Sequence, residues 1–142
     1  MKKIKIVLIS LLTLSTISFL GYLGANNFPL KKSEPRVYAK QSLSAGVVEV
    51  EAVPKELSPG REMVFTLDLN NHSMDLSYDY TEMAVVVDEM GNIYKPIKWV
   101  GESGEHHVSG DLIFEKLSSK AKSVGLNIKG IDNKNIVFDW EL

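Results

Sequence analysis

Residues 62–69 read Glu-Met-Val-Phe-Thr-Leu-Asp-Leu, and this stretch decides the class of fold. Apolar side chains occupy every second position from Met63 to Leu69, and polar side chains such as Thr66 and Asp68 lie between them. A period of two is typical of a β-strand that buries one of its faces. The stretch therefore predicts a half-buried strand.

Similar patterns lie on both sides of this stretch, and no segment after the N-terminal region shows a helical period. Further strands are predicted at residues 48–52, 83–87, 93–100, 111–115, 124–128 and 136–140. Pro96 predicts an edge or a bulge in its strand, and residues 88–92 and 130–135 supply turns. Short strands at regular spacing predict an all-β fold, an antiparallel immunoglobulin-like β-sandwich over residues 46–142.

The N-terminal segment has the pattern of a membrane or export helix. Lys2, Lys3 and Lys5 precede an uncharged, largely apolar run from Ile6 to Ala25. A helix of this length spans roughly 30 Å, the thickness of the hydrocarbon core of a bilayer. We therefore expect residues 1–25 to be a transmembrane signal anchor, or a signal peptide if they are cleaved.

The segment that follows, residues 26–45, is rich in Asn, Pro, Ser and Lys and has no apolar period. It predicts a flexible linker between the N-terminal helix and the sandwich. Together these segments predict a single-pass cell-membrane protein whose C-terminal domain is extracytoplasmic. The domain would be secreted if the signal were cleaved.

The domain is acidic and contains no cysteine. From Val47 to Leu142 there are 9 Lys and Arg against 17 Asp and Glu, a net charge of −8. Such a surface repels phosphate backbones, so nucleic acid is not an expected partner. The absence of cysteine excludes disulfides, thiolate metal sites and a lipid-modified cysteine.

All three histidines lie in two polar segments, residues 70–79 and 101–110. Neutral imidazoles bind copper and zinc, and a sandwich can bring two loops to one end. The candidate metal ligands are His72, His106 and His107. Asp75 or Glu105 would be an optional fourth donor. The alternative is that these side chains form hydrogen bonds within their loops and hold no ion.

The sequence shows no arrangement typical of catalysis. His72, Ser73 and Asp75 are residue types found in hydrolases. A nucleophile, its base and the group that orients the base are, however, rarely neighbours in sequence, and no Gly-x-Ser-x-Gly motif is present. We therefore expect a binding or interaction module without catalytic residues, whose partner is an unidentified envelope protein. A copper- or zinc-binding domain is the alternative.

Residues 99–114 read Trp-Val-Gly-Glu-Ser-Gly-Glu-His-His-Val-Ser-Gly-Asp-Leu-Ile-Phe. Together with His-Ser at 72–73, Asp-Leu at 75–76 and Phe-x-Trp at 138–140, this pattern resembles a family of small exported bacterial and archaeal immunoglobulin-like domains of unknown function. That family has a glycine where this chain has Glu105. The resemblance covers residues 47–142. It implies an exported sandwich in which the histidine-bearing segments are a family feature, and it implies no reaction and no ligand.

Overall fold

The computed structural model describes residues 36–104 and 106–142, and strands dominate this part of the chain. Its elements are β1 (Gln41–Ala45), β2 (Val48–Glu56), β3 (Glu62–Asn70), α1 (Tyr80–Met83), β4 (Ala84–Asp88), β5 (Ile93–Tyr94), β6 (Pro96–Gly101), β7 (His107–Lys116), β8 (Ser123–Ile131) and β9 (Lys134–Glu141). The predicted all-β class is confirmed.

The strands form two antiparallel sheets. One sheet has five strands in the order β1-β2-β3-β7-β6, and the other has four in the order β5-β4-β8-β9. The chain passes from the second sheet to the first between Tyr94 and Pro96, so consecutive strands β5 and β6 belong to different sheets. β6 is an edge strand with a register shift between Pro96 and Lys98, which confirms the predicted edge and bulge.

One hydrophobic core lies against both sheets, as the alternating pattern requires. The odd residues of β3 from Met63 to Leu69 are completely buried. The ring of Phe65 packs edge-on against Phe114 of the same sheet at 5.6 Å, and against Trp140 of the other sheet at 5.4 Å. These contacts between the sheets follow from the apolar faces that the alternation creates.

The boundaries differ most from the prediction at three places. The single strand predicted at residues 93–100 is two strands, β5 and β6, which belong to different sheets. β1 lies within residues 26–45, the range assigned to a linker, because Ala45 is fully buried and Tyr38 packs on the core. β7 begins at His107 rather than at residue 111, and it pairs with β3 along its whole length. The glycine at 110, which indicated a loop, lies inside this strand.

The predicted helix at 1–25 and linker residues 26–35 lie outside the described residues. Among residues 36–104 and 106–142, no helix is long and apolar enough to cross a membrane.

Candidate functional site

The two segments that carry the histidines meet at one end of the domain, which we call the histidine end (residues 70–79, 101–104 and 106–107). The backbone N–H of Asn71 donates to the carbonyl of His106 at 2.9 Å. The Asn71 side chain is buried; it accepts from the backbone N–H groups of Ser73 and Met74 and donates to the Met74 carbonyl. Asn71 therefore fixes one loop internally and joins it to the other.

The three imidazoles have different surroundings. His72 is exposed at the turn of its loop. The Nδ1 atom of His106 lies 3.3 Å from the Met74 carbonyl, and Nδ1 of His107 lies 2.5 Å from Oδ1 of Asn70. Because these oxygens only accept, each Nδ1 carries the proton and each Nε2 keeps its lone pair when the ring is neutral.

The structure therefore brings the two histidine segments together but gives His106 and His107 separate oxygen partners. His107 is the first residue of β7, where the sequence indicated a loop. Within the described part of the chain, no group of three His, Asp or Glu side chains could hold one ion. Asp75 uses Oδ1 to accept from the N–H and hydroxyl of Ser77, and Glu105 is not among the described residues. The copper or zinc site stays a prediction.

The glycines of residues 99–114 have a structural explanation in the pairing of β6 with β7. Gly101 and Gly110 face each other across the two strands, and the indole of Trp99 lies over them. A Cβ on Gly110 would lie 2.5 Å from Cζ2 of Trp99, and one on Gly101 would lie 2.4 Å from the Gly110 Cα. Since neither position has room for a side chain, both must be glycine for the indole to pack there.

The Trp99 indole also packs against Tyr80 of α1, with ring centroids 4.6 Å apart. The indole Nε1–H donates to the Glu102 carbonyl at 3.0 Å, and the Tyr80 hydroxyl donates to the Leu76 carbonyl at 2.7 Å. Burial raises the pKa of Tyr80, which keeps its hydroxyl protonated as a donor. Trp99 is partly buried and packs on the edge of the core at the histidine end.

A surface that the sequence did not indicate lies along residues 90–100, which we call the crossover segment. Four large apolar side chains are at least half exposed here: Met90, Ile93, Ile97 and Val100. Lys95 connects β5 of one sheet to β6 of the other. Its backbone N–H donates to a carboxylate oxygen of Glu115, and its carbonyl accepts from the Glu115 N–H. The backbone of the crossover is thereby attached to β7.

The outer face of the four-stranded sheet carries a shallow groove of about 480 Å³. Val87, Gly125 and Asp139 stand side by side across β4, β8 and β9 at its centre. Glu89 and Glu141 also line it, and no Lys or Arg does. The groove depends on strand register, which residue spacing alone does not give.

No family model, curated protein or solved structure matches the chain. The candidate functional surfaces of the described residues are the histidine end, the crossover segment and the groove.

Proposed function

We propose that this chain is a membrane-tethered, extracytoplasmic interaction module with an immunoglobulin-like sandwich domain, and that it binds an envelope protein without catalysing a reaction. The observation that carries the proposal is the crossover segment. Of the eight exposed large apolar residues among those described, four lie within residues 90–100. Four large exposed apolar side chains within eleven residues make this segment a candidate contact site, because exposed apolar patches are typical of protein–protein contacts.

The energetics favour a partner at this surface. Ile93 is 64% exposed and Ile97 is 51% exposed. Completing the burial of two such side chains contributes roughly 1–3 kcal/mol at about 25 cal/mol per Å² of apolar area. That contribution is within the range expected for the central residues of an interface. The backbone bonds between Lys95 and Glu115 hold the segment in place, so little ordering is needed on binding.

The position of the N-terminal residues fits a tethered module. β1 runs toward the histidine end, because Ala45 pairs with Val48 and Glu49 pairs with Asn70. The described chain therefore begins at the opposite end, where the Trp140 indole donates to the Ala39 carbonyl. β1 and β6 are the two opposite edge strands of the five-stranded sheet, so the described chain begins at the edge far from Ile97 and Val100 of β6.

A photo-crosslinking amino acid placed at Ile97 of the full chain in its native membrane tests this proposal. The matched control is the same amino acid at Val47, which is 59% exposed in the hairpin between β1 and β2. We expect a discrete protein adduct from position 97 and none of comparable yield from position 47. Equal adducts from both positions, or none from 97, would contradict a partner site on the crossover segment.

A transition-metal domain is the second candidate, favoured by one observation. Metal-binding histidines usually donate their second ring N–H to an oxygen acceptor, which orients the ligating nitrogen. His106 and His107 both show that arrangement at Nδ1, with Nε2 left as the candidate ligand atom. His72, exposed in the adjoining loop, would be the third ligand, and copper or zinc the ion.

A further inference from the structure

The groove on the four-stranded sheet has an apolar floor between its charged groups. Val85, Asn127 and Val137 form one outward-facing row across β4, β8 and β9. The neighbouring row contains Val87 and Gly125, and Val137 is 45% exposed. Because Gly125 has no side chain, the centre of the face is lower than its surroundings. The result is an open sheet face with aliphatic side chains on either side of a gap.

Among the described residues, no cation forms an ion pair with the carboxylates of this face. Asp139 leans over the gap, since a Cβ on Gly125 would lie 2.8 Å from its Oδ1 atom. Glu141 follows two residues along the same strand. None of the three ion pairs among the described residues involves Asp139, Glu141 or Glu89.

Glu89 is held at the end of the groove by the chain itself. Its carboxylate accepts from the backbone N–H groups of Lys122 and Ser123 at 3.0–3.2 Å. The bond from Lys122 is the main reason that the pKa of Glu89 lies below its usual value. Glu89 is therefore an ordered negative charge that keeps its position without a cation beside it.

We propose that this groove binds an extended segment of a partner protein that carries lysine or arginine. The alkyl stem of such a side chain would lie on Val87 and Val137, and its charged head would reach the carboxylates of Asp139 and Glu141. Long basic side chains bury their methylene stems in this way while the charge stays in contact with water or an anion. Charge complementarity selects this occupant, because a groove lined by acids and no cation repels an acidic segment. The proposal rests on the proposed function, since it names the chemistry of the partner.

The test uses the full chain in a zwitterionic detergent and a fluorescently labelled six-residue peptide of alternating lysine and alanine. Binding is measured by fluorescence anisotropy at low salt, for the wild type and for the double variant Asp139→Asn, Glu141→Gln. The matched control removes two other exposed carboxylates, Glu62→Gln with Glu102→Gln, and so changes the net charge equally. We expect the groove variant to weaken binding roughly tenfold, as two lost charge contacts allow, and the control variant to leave it near the wild-type value.

Three outcomes would overturn the proposal. The peptide does not bind the wild type, or both double variants weaken binding equally, which indicates general attraction to an acidic protein. Alternatively, light scattering shows a dimer that the groove variant dissociates, which makes a second copy the occupant. The crosslinking experiment at Ile97 is independent of this test. If the adduct at Ile97 persists in the groove variant while the peptide fails to bind, the interaction module still holds and only the groove proposal is wrong.

Discussion

On the outer face of the five-stranded sheet, two carboxylates form ion pairs with lysines of the same chain. Glu51 pairs with Lys40 at 2.8 Å, and Asp111 pairs with Lys55 at 2.9 Å and accepts from the hydroxyl of Thr66. On the outer face of the four-stranded sheet, Asp139 takes part in none of the ion pairs of the described residues. A matched face gains little from a second protein, because its charges would have to leave one partner to meet another. An unmatched face can gain, and this difference favours the smaller sheet as the site for a basic segment.

One glycine in each sheet gives the largest expected contrast. We expect Gly110→Ala to lower the free energy of unfolding by about 2 kcal/mol or more, because overpacking forces rigid groups to move. Its new methyl group would meet the Trp99 ring at 2.5 Å and the Gly101 backbone at 2.6 Å. Urea denaturation of the full chain in detergent, followed by tryptophan fluorescence, measures this change.

Gly125→Ala is the matched control on the smaller sheet. Its nearest neighbour, at 2.8 Å, is the end of the Asp139 side chain, which can rotate away toward water. We therefore expect a change within about 0.5 kcal/mol, as for surface substitutions generally. A loss as large as that of Gly110→Ala would mean that the groove is a packed structural surface, and the contrast between the sheets would fail.

The glycines also show which parts of the fold the sequence could predict. The alternation from Met63 to Leu69 correctly predicted a half-buried strand, because burial of one face is a local pattern. Gly110 was misinterpreted as part of a loop, since its reason, the indole of Trp99, becomes visible only after β6 pairs with β7. The role of Gly125 likewise depends on its register with Asp139.

The crossover was missed for a related reason. Residues 93–100 continue one apolar pattern, although the chain changes sheets between Tyr94 and Pro96. Ile97 fits the pattern of a buried strand position but is exposed, and it lies at the register shift between Pro96 and Lys98. Topology of this kind is set by long-range packing, which spacing within a segment does not encode.

Aspartates on the two faces give the second contrast. Asp111→Asn removes the charge that holds Lys55 and weakens the bond from Thr66, so we expect a loss of about 1 kcal/mol. Asp139→Asn removes a charge that repels its acidic neighbours, so we expect a change within about 0.5 kcal/mol. Equal losses in urea denaturation at neutral pH would show that Asp139 has a structural partner after all.

The pH dependence sharpens this second contrast. Burial raises the pKa of Asp111, but the hydrogen bonds from Lys55 and Thr66 outweigh it and hold that pKa below its usual value. A lowered folded-state pKa stabilises the protein above the unfolded value of about 3.9, and the stabilisation is lost as pH falls through the folded-state pKa. The difference in unfolding free energy between the wild type and Asp111→Asn should therefore shrink as pH is lowered from about 5 to 3. A constant difference over this range would assign the effect of the substitution to packing.

The smallest expected effect on stability is that of replacing the histidines. This replacement also tests whether the five-stranded sheet binds a ligand. His107 pairs with Asn70 on the five-stranded sheet. Replacing His106 and His107 by alanine should change the free energy of unfolding by no more than about 0.5 kcal/mol, because both side chains are exposed.

If the second candidate function holds, calorimetric titration of the full chain with copper or zinc shows micromolar binding that the double variant loses. That binding must require neutral imidazoles, since a protonated ring has no lone pair for the ion. Equal affinity in both proteins would mean that the two rings do not bind the ion and act as hydrogen-bond donors to Met74 and Asn70.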